Sequence, residues 1–139
     1  MELVKEVARN ANAGIDAIDS IKTCIKDEKL LNLMLEQRAR LCDIKDRAVS
    51  EIRCDCDGAE LHPAEKAMFK GMVKMKASLD KSNNNIAEML IEGNNMGIND
   101  IVSVSHKADC GCGCRQNTPL VGELIEAYDV NIKELRQFL

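Results

Sequence analysis

Residues 4–25, VKEVARNANAGIDAIDSIKTCI, decide the fold. Val4, Ala8, Ala11, Ile15, Ile18, Ile21 and Ile25 recur at steps of three and four, which places them on one side of a helix. The spacing predicts a helix over residues 2–26 whose apolar face needs a partner. The following stretch supplies one. Asp27 is positioned to cap a second helix with the stripe Leu30, Met34, Leu41, Ile44, Ala48 and Ile52, and Cys54-Asp55-Cys56-Asp57-Gly58 ends it.

Pro63 suits the first position of a third helix, with Glu65 favoured in the first turn and Met68, Met72, Met75 and Leu79 continuing the apolar face. Ser82-Asn83-Asn84-Asn85 reads as a turn. Asn85, with Glu88 three residues on, reads as a capping-box-like start of a fourth helix carrying Ile86, Met89, Leu90, Met96, Ile101 and Val104. Asp109-Cys110-Gly111-Cys112-Gly113-Cys114 breaks that helix. Thr118-Pro119 then opens a fifth, through Leu120, Leu124, Ile125, Tyr128, Ile132, Leu135 and Phe138.

The short connections between helices one and two and between three and four make each pair an antiparallel hairpin. The expected fold class is all-α: an antiparallel four-helix bundle of two hairpins plus a C-terminal fifth helix. The expected organisation is a single domain over 1–139, with a four-helix core at 1–108, a Cys-rich loop at 109–118 and a helix at 119–139. That last helix is expected to cover part of the broad apolar surface of helix four. Gly93-x-x-x-Gly97 is expected to serve close packing.

Composition supports the helical reading. With 139 residues, no Trp, one Tyr and two Phe, the core must be aliphatic residues and Met, a palette that favours helices over a β-sandwich. The net charge is -4, and Lys and Arg are scattered among acids, so nucleic acid is not an expected partner. No apolar run approaches the roughly 18 residues needed to span a bilayer, and Met1-Glu2-Leu3-Val4-Lys5-Glu6 lacks a signal peptide's apolar core. The expected location is cytoplasmic, with no membrane partner.

Seven cysteines make an odd count for a disulfide framework. If helices alternate up and down, the connections after helices two and four fall at one end of the bundle. That end would collect Cys54, Cys56, His62, His106, Cys110, Cys112 and Cys114. Thiolates and imidazoles from two loops suit a soft or borderline cation, and four would complete a tetrahedral zinc site with Zn–S near ~2.3 Å. The C-x-C steps also suit bridging thiolates around copper as Cu(I), and Gly111 and Gly113 permit tight folding. An iron–sulfur cluster is a further alternative, although it matches none of the familiar spacings. Ordinary solvated thiols and thiol-redox chemistry stand as the other readings, and a cofactor-free structural protein acting as a homodimer is the alternative function. Cys24 and Cys42 read as ordinary buried small residues.

Gln37 falls inside the second helix's stripe, and Asn94, Asn95, Asn99 and Asp100 accompany the fourth. The expectation is that these groups sit at the bundle boundary and touch water rather than form a buried polar network. They do not define a pair of catalytic carboxylates.

Asn10-Ala11-Asn12-Ala13-Gly14-Ile15, Leu33-Met34-Leu35-Glu36-Gln37-Arg38 and the run Ile86-Ala87-Glu88-Met89-Leu90-Ile91-Glu92-Gly93-Asn94-Asn95-Met96-Gly97, set on paired hairpins over residues 1–108, resemble bacterial ferritin-like four-helix proteins of unknown function. The resemblance implies the bundle and the pairing of its hairpins. Ferritin-like di-iron proteins carry Glu-x-x-His on two helices, whereas here no Glu has His three residues later. A di-iron centre and its oxygen chemistry are therefore not expected; a non-enzymatic role is favoured, with a thiol-redox enzyme as the weaker alternative.

Overall fold

The computed structural model describes residues 2–55, 80–109 and 119–139. Every regular element among them is helical: α1 (Glu2–Ile21), α2 (Glu28–Asp55), α3 (Asn83–Asp109) and α4 (Pro119–Leu135), with single 3-10 turns at Lys22–Cys24 and Arg136–Phe138. The helix expected after Pro63 lies outside the described residues.

Local chemistry sets the helix ends. Asp27 Oδ1 accepts the backbone N–H of Leu30 at 2.9 Å, the N-cap geometry foreseen from the sequence. The first helix stops at Ile21, short of residue 26, and a 3-10 turn carries the chain to an extended Ile25. The fourth predicted helix begins earlier than expected. Ser82 is its cap, accepting the N–H of Asn85 on its hydroxyl at 3.3 Å, while Ile86 N–H reaches the Ser82 carbonyl at 3.0 Å. Asn85 is thus the third helical residue, and its side chain donates back to the Asp80 carbonyl at 2.6 Å. The turn predicted over 82–85 closes at Ser82. Pro119 opens α4 as its first residue, where a missing N–H costs nothing.

Polar pairs give the helix directions. Arg38 on α2 grips Asp19 on α1, with Nε to Oδ1 at 2.7 Å and Nη2 to Oδ2 at 3.1 Å, and Gly14 stands against Leu41, so α1 and α2 are antiparallel. Arg40 and Arg47 on α2 meet Glu134 and Glu123 on α4, again antiparallel. Asn94 and Gly97 on α3 face Asn131 and Tyr128 on α4 in the same sense. Asn83, at the start of α3, donates to Asp27 Oδ2 at 3.1 Å, so α2 and α3 start from one end and run the same way.

The core lies along the shared axis. Val7, Ala11, Ile21, Leu30, Met34, Ala48, Ile86, Leu124 and Leu135 are fully buried. The C-terminal helix is a full core member that packs on α1, α2 and α3, and its Leu124 and Leu135 have no exposed surface. No described helix is long and apolar enough to cross a membrane.

Candidate functional site

The thiol and imidazole residues named above divide into two groups. Cys54 is exposed on the last turn of α2, and His106 is exposed one turn before the end of α3. Cys56, His62, Cys110, Cys112 and Cys114 lie outside the described residues. Among the described residues no three or more of His, Cys, Asp and Glu are grouped to hold a metal ion. Cys24 and Cys42 are half-buried. Cys42 accepts Arg38 Nη1 at 3.5 Å, so it sits at the edge of the α1–α2 seam and not inside the core.

The site the described residues do build is a cleft of about 550 Å³ running between α1 and α3. Residues that lack bulk line it: Ala13, Gly14 and Ala17 on α1, and Gly93 and Gly97 on α3. The two glycines of the G-x-x-x-G pair have different jobs. A Cβ on Gly97 would come within 2.8 Å of the Tyr128 ring, so this glycine admits the tyrosine. A Cβ on Gly93 would meet nothing within 4 Å, so this one leaves open space in the cleft wall.

Polar groups line the cleft floor. Gln37 and Asn131 are each 1% exposed and Asn94 is 9% exposed, which overturns the expectation that Gln37 and Asn94 touch water at the boundary. They are linked in a chain. Gln37 Nε2 donates to the Asn131 carbonyl at 3.3 Å, Asn131 Nδ2 to Asn94 Oδ1 at 3.2 Å, and Asn94 Nδ2 to the Leu90 carbonyl at 2.6 Å. Arg40 Nη1 closes the chain on Asn131 Oδ1 at 2.7 Å. Burial is tolerable because each amide finds partners on other helices or on its own turn. Asn95, Asn99 and Asp100 are exposed, as expected for boundary residues.

Tyr128 forms the second polar contact across the bundle. Its hydroxyl lies 2.5 Å from Asn10 Oδ1 and 3.0 Å from the Asn10 carbonyl, and Asn10 Nδ2 donates to the Gly97 carbonyl at 3.0 Å. Burial, helped by the negative charge of Asp100, pushes the phenol pKa well above its ordinary value, so Tyr128 is a neutral donor.

On α1, Asn12, Asp16 and Ser20 are buried one turn apart. Asn12 Nδ2 donates to Asp16 Oδ2 at 3.2 Å, and the Ser20 hydroxyl donates to the Asp16 carbonyl at 2.7 Å. Sequence reading passed over this second stripe. Its i, i+4, i+8 spacing beside the apolar stripe was the available clue that α1 buries two faces. No protein-family model, curated protein or solved structure matches the chain.

Proposed function

We propose that this chain is a non-enzymatic, ferritin-like helical-bundle protein that binds a thiophilic metal, zinc first and Cu(I) second. The ligands are Cys54, Cys56, Cys110, Cys112 and Cys114, with help from His62 or His106. The supporting observation is the common direction of α2 and α3. Because both helices start beside Asp27, the two Cys-bearing connections leave from one end of the molecule, and Cys54 and His106 stand exposed there. Five thiols and two imidazoles exceed the four donors of a closed tetrahedral site, and C-x-C steps permit bridging.

Metal content of native protein, purified without added metal or an affinity tag, tests the proposal. The expected result is stoichiometric zinc that is lost when the five cysteines become serine. Substoichiometric metal, unchanged in that variant, rejects it.

A further inference from the structure

The cleft between α1 and α3 is lined by neither Cys54 nor His106, and its inner surface is chemically specified. Gln37 is buried, and its Nε2 is committed to a backbone carbonyl, which can only accept; this fixes which way round the amide lies. The carbonyl end, Oε1, then accepts no hydrogen bond from any described residue and is not sealed from the cleft it lines. Asn12 repeats the arrangement. Its Nδ2 is committed to the Asp16 carboxylate, which leaves Oδ1 as the acceptor of a residue that lines the same cleft.

Gln37, Asn12 and Asp16 thus line a cleft whose other walls combine apolar Ile18, Leu41, Met89 and Val104 with the charged side chains of Glu6, Arg9, Asp100 and Lys107. An acceptor that meets only cleft water gains a stronger partner when a charged donor arrives. The volume lies within the range of small-molecule pockets. We infer that this cleft binds a small organic amine whose ammonium group donates to Gln37 Oε1 and Asn12 Oδ1 beside Asp16 and whose apolar body lies between α1 and α3. An ammonium has N–H donors and no acceptor, which matches the amide oxygens of Gln37 and Asn12. Hydrogen bonds to a charged donor are about twice as strong as neutral ones, so the same floor separates an amine from the alcohol of equal shape.

The probes are 2-phenylethylamine and its neutral counterpart 2-phenylethanol, titrated into the full chain and followed by NMR at the side-chain amides of Gln37 and Asn12. The amine is expected to shift those signals and to bind about tenfold or more tighter than the alcohol. Gln37→Met keeps the length and removes the acceptor, and should weaken the amine about tenfold. Gly93→Leu fills the open wall and should abolish binding without lowering Tm, since a side chain there meets no neighbour at its root. Equal affinity for amine and alcohol would overturn the assignment, as would no shift with the amine or undiminished binding in Gly93→Leu. Should Gly93→Leu fail to fold, the comparison of amine with alcohol and the Gln37→Met variant decide the matter. Each result should be the same in the protein whose five loop cysteines are serine, so failure here and failure of the metal proposal are read separately.

Discussion

At the scale of single residues, Gly93 and Gly97 show how little a motif says without its surroundings. Both glycines lie in α3, and neither requires a conformation closed to other residues. What differs is the neighbour. An added Cβ at Gly97 falls 2.8 and 2.9 Å from ring carbons of Tyr128 and 3.1 Å from Asn10 Oδ1. The ring cannot slide away, because its hydroxyl is held by Asn10 and Tyr128 is buried. Gly97→Ala should therefore cost about 1–3 kcal/mol as overpacking, more than the helix propensity it gains. Gly93→Ala, with open space around the new methyl, should gain about 0.5–1 kcal/mol from reduced backbone freedom in the unfolded chain. Urea denaturation of the two variants against wild type measures both, and opposite signs are expected. The sequence displayed the pair but not the difference, because the partner of Gly97 is thirty-one positions away and on another helix.

At the scale of elements, the seam between α1 and α2 was largely legible. The two apolar stripes, the Asp27 cap and the short connection all followed from residue spacing, and the structure realises each of them. The ion pair that fastens the seam did not, since Asp19 and Arg38 are distant in sequence and only the antiparallel register brings them together. Arg38 is the main cause of the depressed Asp19 pKa, from 3.8 to about 2, with Lys22 helping and partial burial opposing. The sign follows from linkage. A carboxylate whose folded-state pKa is lowered contributes stability above its unfolded value and loses it as pH falls through the folded value. Both side chains still meet water, at 24% and 35% exposure, so the contribution should be screened to about 1 kcal/mol. Between about pH 4 and pH 2 the wild type should lose that much more stability than Asp19→Asn. Denaturation midpoints across this range check it, and parallel pH profiles for the two proteins would show the pair to be inert. The start of α3 was misplaced for a related reason. Ser82, Asn83, Asn84 and Asn85 are all good capping or turn residues, and spacing alone does not choose among them; the contact of Asn83 with Asp27 does.

At the scale of the whole molecule, the buried amides do what the apolar core cannot. Leucine and isoleucine faces pack in several rotations and offsets at little difference in energy, whereas an amide chain is satisfied in one register only. Asn131 is the junction. It accepts from Arg40 on α2, donates to Asn94 on α3 and offers its own carbonyl to Gln37 on α2, so one residue of α4 fixes three helices relative to one another. Sequence reading identified Gln37 and Asn94 as inward-facing but set them at the wet edge, because their partner Asn131 belongs to a helix expected to be peripheral. Removing the junction alone should be costly. Asn131→Ala strands Asn94 Oδ1 in a dry setting, while Arg40 keeps Glu134 and water, and should lose about 1–3 kcal/mol. Replacing all three amides with leucine removes donors and acceptors together, leaving fewer groups to satisfy, and should be near neutral or raise Tm. That stabilised variant should nevertheless lose the single register. The expected signs are broadened NMR signals from α3 and α4 and a shallower unfolding transition than wild type. Sharp spectra and an unchanged slope in the triple leucine variant would mean that shape complementarity of the apolar residues already sets the register, and that the amides are kept for the cleft they line.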